Sequence, residues 1–168
     1  MKSALTAARQ FRTEFDRALT CYRTGDYGEA YRIADQLLVS FPLSVDLLLL
    51  RARVIQLLEE ADLTVYPSAT LDLTQESLET ATTLAPRNAE AHNELGYFVL
   101  NVRDRASDAL KHFESAERMA STELLQALVG QLKCLEELGD TEAVERIKSK
   151  LKTTFPDEIL PGLIEVEW

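Results

Sequence analysis

Two stretches of the chain, "TGDYGEAYRIADQLLVSFP" at residues 24–42 and "LGDTEAVERIKSKLKTTFP" at residues 138–156, share one layout. In each, a Gly-Asp pair opens an apolar pattern of helical period that ends at Phe-Pro, and the glycine precedes the proline by seventeen residues. Glycine suits the left-handed turn that follows a helix, and proline cannot continue a helix interior. The chain therefore contains an internal repeat, and each copy includes one helix bounded by these residues.

The segments between the other turn residues also have helical period, and no stretch alternates at period two for long. The pattern predicts an all-α protein with eight helices, at about residues 3–24, 26–40, 44–60, 72–85, 88–102, 105–119, 122–138 and 140–154. Short polar side chains that can accept the free amides of a first turn stand before five of them, and we expect N-caps at Asp26, Ser44, Asn88, Ser121 and Asp140.

Gly96 stands inside one predicted helix, in "LAPRNAEAHNELGYFVL" at residues 84–100. Glycine in a helix interior costs about 1 kcal/mol relative to alanine. A helix keeps such a glycine where a second helix crosses too closely for a side chain. We therefore expect Gly96 to be a packing residue at a helix crossing, in the same role as Ala18 and Ala52 in earlier helices.

The spacing of small, aromatic and proline residues is similar to that of the tetratricopeptide repeat family. The first unit matches at Ala18, Gly25, Tyr27, Ala30 and Pro42, and the third at Leu95, Gly96, Ala109, Phe113 and Ala116. The second unit carries about ten extra residues, and the fourth matches more loosely. The resemblance covers roughly residues 11–156. It implies a right-handed superhelical array of about four antiparallel helix pairs, over residues 1–156 with an insertion at about 61–71. An apolar tail at residues 157–168 follows.

Composition excludes several classes of function. The 168 residues carry a net charge of −10 with a pI near 4.7, which disfavours nucleic acid and anionic membrane surfaces as partners. The longest apolar run, residues 47–50, is far short of the roughly 20 residues of a membrane span, and no signal peptide is recognisable. Cys21 and Cys134 are far apart and fall on apolar helix sides, which predicts reduced core thiols in a cytoplasmic protein.

No set of residues predicts catalysis. His92 and His112 have no second metal ligand at i+4, and none of the six glycines belongs to a phosphate-binding loop. No nucleophile, base and orienting group are brought together by the repeat. We therefore expect no enzymatic activity, no metal and no cofactor.

The resemblance implies a concave surface lined by the first helix of each pair, which would bind a segment of a partner protein. The positions that line it carry aromatic and aliphatic side chains, arginines, carboxylates and amides, a mixture suited to an extended or helical peptide. The expected partner-binding residues are Arg12, Phe15, Arg23, Leu49, Arg53, Asn93, Glu94, Tyr97, Asn101 and Lys133.

The expected function is thus that of an adaptor, assembly factor or chaperone. A small bacterial secretion chaperone is a more specific version. A self-associating scaffold is the alternative, in which the groove is filled by the tail or by a second copy in a homodimer. The apolar insertion either folds back on the helices or meets a partner. The tail, with Trp168 as its anchor, caps the last helix, inserts into the groove or docks on another copy of the chain.

Overall fold

The computed structural model describes residues 2–155, which are all-helical and contain no strand. The helices of this range are α1 (Lys2–Thr24), α2 (Tyr27–Ser40), α3 (Val45–Ile55), α4 (Glu60–Val65), α5 (Leu71–Leu84), α6 (Ala89–Asn101), α7 (Ala106–Leu138) and α8 (Thr141–Thr154). The predicted all-α class is confirmed for this range. The tail at residues 157–168 and Trp168 lie outside the described residues.

The helix boundaries at the repeated Gly-Asp pairs are the predicted ones. Gly25 and Gly139 have φ angles of +84° and +71°, so both adopt the left-handed conformation. The amide after each glycine donates to the carbonyl five residues before it, at 2.9 and 3.1 Å. Three predicted N-caps accept a hydrogen bond from the amide three residues later, namely Asp26, Asn88 and Asp140. Ser44 stands at its predicted N-cap position without a side-chain cap bond.

The predicted break between helices near residues 120 and 121 is wrong, because α7 runs without interruption from Ala106 to Leu138. Neither proline nor glycine occurs near this point, unlike at the other unit boundaries. Thr122, expected to open a new helix after an N-cap at Ser121, instead donates its hydroxyl hydrogen to the Arg118 carbonyl at 2.9 Å. A threonine inside a helix can bond to the carbonyl one turn earlier, so the Thr122 hydroxyl is satisfied without a break in the helix.

The third predicted helix is shorter than expected. It ends at Ile55 rather than near residue 60, and a separate six-residue helix, α4, follows within the insertion. The backbone amide of Glu59 donates to the Asp62 carboxylate, and the Glu59 side chain accepts from the backbone amide of Asp62. These reciprocal hydrogen bonds form a capping box at the start of α4. The apolar run alone did not mark this break, since no glycine or proline stands between residues 55 and 60.

The insertion folds back on α2. The rings of Tyr31 and Tyr66 lie 5.2 Å apart, and the hydroxyls of Tyr31 and Ser68 are within hydrogen-bond distance at 3.3 Å. A Cβ atom on Gly28 would lie 2.6 Å from a carboxylate oxygen of Asp62. Glycine at position 28 therefore allows α4 to approach α2 closely.

The chain divides into two compact units, residues 1–116 and 117–168, and the division falls within α7. In the first unit α1 packs on α2, α2 on α3, α3 on α5, and α5 on α6. Ala18 and Ala52 are completely buried, as expected for small residues at helix crossings. Gly96 is buried against Phe113, since a Cβ there would lie 2.9 to 3.1 Å from three ring atoms. Its predicted role as a packing glycine is confirmed.

In the second unit the later part of α7 packs against α8. Its core consists of Leu128, Leu132, Val144, Leu151 and Phe155. Cys134 belongs to this unit but is exposed, so the expectation of a core thiol is wrong there, whereas Cys21 in the first unit is partly buried and packs against the core.

Candidate protein-interaction surface

The predicted partner-binding residues of the first unit lie on α1, α3 and α6. Each of these helices presents one face to the core and another outward. We call the exposed or half-exposed members of the predicted set on these helices the α1–α3–α6 surface, and they are Arg12, Phe15, Arg23, Arg53, Asn93, Glu94, Tyr97 and Asn101. All of them belong to the first compact unit.

Arg53 on α3 is hydrogen-bonded to two carboxylates on α6. Its Nε donates to Glu94 Oε1 at 2.9 Å, and its Nη2 donates to Glu94 Oε1 at 2.8 Å and to Glu90 Oε1 at 2.5 Å. These bonds hold the outward faces of α3 and α6 side by side. Burial alone would lower the pKa of Arg53, but the hydrogen bonds with Glu90 and Glu94 outweigh it and the pKa is raised. Arg53 therefore stays charged and is committed to partners within the chain.

Tyr97 is the largest exposed aromatic side chain on α6, with 58 % of its area accessible. One edge of its ring packs against Phe113 of α7 at a centroid distance of 4.9 Å. The same Phe113 ring covers Gly96. Contact with Phe113 restricts the Tyr97 ring while leaving more than half of it open, which suits an aromatic anchor for a ligand. Asn93 and Asn101 flank it and are exposed, so their amides can meet a peptide backbone.

The α1 part of the surface is charged and aromatic. Arg12 is 85 % exposed and lies 4.0 Å from Asp16, a separation that contributes little in water. Arg23 is also exposed. Phe15 is half-buried and stacks on Phe11 at 5.8 Å, so it supports the surface and presents only part of its ring.

Two predicted residues do not belong with the others. Leu49 is only 2 % exposed and lies in the core, so its assignment to the partner-binding surface is corrected. All four leucines at residues 47–50 are buried because α3 packs against both α2 and α5. Lys133 is exposed but lies in the second compact unit, whereas the other members of the set lie in the first.

Two arginines that tie the helices together were missed in the sequence. Arg51 of α3 donates to Asp35 of α2 and to the buried hydroxyl of Ser77 on α5, both at 3.1 Å. Arg103, in the turn before α7, donates to Gln75 at 2.8 Å and to Asp72 at 2.5 Å. Both connect residues more than fifteen positions apart, and no local pattern in the sequence indicates such pairings.

The two histidines lie together at the contact between α6 and α7, with ring centroids 5.9 Å apart. His92 Nε2 lies 3.2 Å from the Pro86 carbonyl, whereas its Nδ1 is buried without a hydrogen-bond partner. Burial lowers the pKa of His112, and the neighbouring His92 lowers it further, against the opposite effect of Asp108 and Glu79. Protonation of His112 in the folded chain is therefore unfavourable.

Among the described residues, no group of three or more histidines, cysteines or carboxylates is placed to hold a metal ion. None of the described helices is long and apolar enough to cross a bilayer. The sequence matches no protein-family model, and it has no significant match among curated protein sequences. What the α1–α3–α6 surface can do therefore has to be inferred from its own chemistry.

Proposed function

We propose that this chain is a protein-interaction module that binds a peptide segment of another protein along the α1–α3–α6 surface. The observation that carries the proposal is the contact of Arg53 with Glu90 and Glu94, which aligns two outward helix faces beside an exposed aromatic ring. In this proposal the helix pairs form a tetratricopeptide-like superhelical array, and the protein works in the cytoplasm as an adaptor, assembly factor or chaperone.

The chemistry of the surface suits a mixed polar and apolar peptide. Tyr97 offers apolar area for a side chain of the ligand, and the amides of Asn93 and Asn101 can pair with its backbone. Arg12 and Arg23 are exposed cations that can meet a carboxylate. Arg53 and Glu94 have a different part in the proposal, because they bind each other and thereby fix the spacing of α3 and α6.

Site-specific cross-linking tests this proposal and identifies the partner in the same experiment. A photo-reactive amino acid replaces Tyr97 in one version of the full chain and Leu110 in a control version. Leu110 is a comparably exposed apolar residue of α7 that lies outside the surface, with 56 % of its area accessible. After irradiation in extract of the native host, mass spectrometry identifies the cross-linked segment, which is then synthesised for affinity measurements.

We expect the Tyr97 position to cross-link one defined segment that the Leu110 position does not reach. Tyr97→Ala should then weaken binding of the synthetic segment by about tenfold, whereas Leu110→Ala should leave it unchanged. Equal cross-linking at both positions, or an unchanged affinity of Tyr97→Ala, would show that the surface is wrongly assigned. If Tyr97 cross-links only to a second copy of the chain, the surface mediates self-association rather than peptide binding.

A further inference from the structure

The insertion builds a pocket that the proposed peptide surface does not use. Its lining residues come from the end of α3, from α4, from the segment that joins α4 to α5 and from the start of α5, and they are Ile55, Leu63, Pro67, Ala69, Thr70 and Leu71. We call this the insertion pocket, and its volume is about 310 Å³. That is near the lower limit for small-molecule sites, which makes it large enough for one bulky side chain.

The insertion pocket is apolar and open to solvent. Ile55 and Ala69 are buried beneath it, whereas Leu63 and Leu71 remain 40 % and 45 % exposed at its edge. The contacts of Tyr66 and Ser68 with Tyr31 anchor the segment to α2, so the pocket is held in place before any ligand arrives. An apolar side chain entering it would cover leucine surface that is now in water.

The segment that builds the insertion pocket is acidic. Between Arg53 and Arg87 the chain contains six carboxylates and no lysine, arginine or histidine. Glu60, the first residue of α4, precedes Leu63 by three residues and lies on the same side of that helix, and Glu59 is its N-cap. Asp72 directly follows Leu71.

Most of this negative charge is not neutralised within the described part of the chain. Asp72 is paired with Arg103, but it remains largely exposed. Among the side chains that the structure describes, no ion pair involves Glu59, Glu60 or Glu76. The Glu59 carboxylate accepts a backbone hydrogen bond in the capping box of α4, whereas Glu60 can meet a cationic ligand without leaving another partner.

We propose that the insertion pocket binds a basic peptide of a partner protein, taking one large aliphatic or aromatic side chain that has lysine or arginine on both sides. The apolar side chain fills the space between Leu63 and Leu71, and the flanking cations meet Glu60 and the exposed side of Asp72. This surface shares no residue with the α1–α3–α6 surface, so either proposal can fail alone.

Selection of displayed random peptides on the full chain, followed by affinity measurement, tests this inference. The probe is the most enriched peptide, synthesised with a fluorescent label and titrated by anisotropy at low and high salt. Leu63→Ser is the pocket variant, and Val65→Ser is its matched control, because Val65 lies on the same short helix, is 67 % exposed and does not line the pocket. Glu60→Lys is compared with Glu123→Lys, which changes the net charge equally in the second unit.

We expect enriched peptides with a large apolar residue between basic ones. Leu63→Ser should weaken binding of the probe peptide about tenfold or more, and the affinity of Val65→Ser for it should stay within about twofold of wild type. Glu60→Lys should weaken binding and reduce its salt dependence, whereas Glu123→Lys should do neither. The inference is overturned if no peptide is enriched, if the enriched peptides lack basic residues, or if each variant behaves like its control.

Discussion

Substitution of Gly96 by alanine should destabilise the first unit, although alanine is the better helix former. The added Cβ would lie 2.9, 3.0 and 3.1 Å from three atoms of the Phe113 ring, whereas carbon atoms in contact prefer about 3.5–4.0 Å. The ring must retreat by about half an ångström or more, against its edge contact with Tyr97. Such overpacking costs about 1–3 kcal/mol, and the helix propensity of alanine returns about 1 kcal/mol.

The free energy of unfolding should therefore fall by roughly 0–2 kcal/mol in Gly96→Ala. In a chain that already carries Phe113→Ala, the ring that the new Cβ would meet is absent. Gly96→Ala should then raise the free energy of unfolding by about 1 kcal/mol. Chemical denaturation of wild type, both single variants and the double variant, followed by circular dichroism, gives the coupling energy, which we expect to be about 1–3 kcal/mol.

Gly130 provides the control for this cycle. It also lies inside a helix, but a Cβ atom there would meet nothing within 4 Å, so Gly130→Ala should stabilise the second unit by about 1 kcal/mol. The close packing inferred at Gly96 is refuted if Gly96→Ala stabilises as much as Gly130→Ala does. Simple additivity of Gly96→Ala with Phe113→Ala would refute it equally.

Three further predictions test the ion pair, the histidine contact and the continuity of α7. Arg53→Gln should lower the free energy of unfolding by about 1–3 kcal/mol, because half-buried Glu94 loses its charged hydrogen-bond donor. Adding Glu94→Gln to this variant should restore part of the lost stability, as measured by the same chemical denaturation. Burial places the pKa of His112 below its ordinary value of 6.5, so the unfolded chain binds this proton more readily than the folded chain. The stabilisation is present above pH 6.5 and is lost as the pH falls below it, so His112→Gln should flatten the decline in unfolding free energy as the pH falls below 6.5. Thr122→Pro should lower the free energy of unfolding by about 3 kcal/mol, since Thr122 lies inside continuous α7. Ala89→Pro is the control and should be tolerated, because it lies at the first position of α6. Thermal melts that show both variants equally stable would contradict the long helix.

Local features of the fold could be predicted because their causes are local. The left-handed turns at Gly25 and Gly139 and the caps at Asp26, Asn88 and Asp140 depend on backbone angles and on hydrogen bonds that span three to five residues. Sequence neighbours are sufficient to specify such interactions. The long α7 shows the limit, because a serine that could cap a helix can equally well lie within one when no proline or glycine intervenes.

The surface could be predicted only in part, for a physical reason. Helical period placed Tyr97 and Asn93 outward, but it could not show that α3 is enclosed on two sides, which buries Leu49. It also could not show that Arg53 meets Glu90 and Glu94, since the pairing joins residues about forty positions apart.

The sequence by itself determined most of the helices, the turns at Gly25 and Gly139 and the need for a small residue at position 96, because these follow from backbone sterics and hydrogen bonds within a few residues. Only the tertiary structure decided which charges are already paired, which leucines are enclosed and where the insertion forms its acidic-edged pocket. Each of those depends on which distant helices come into contact, and the burial and Coulomb energies involved act between neighbours in space rather than along the chain.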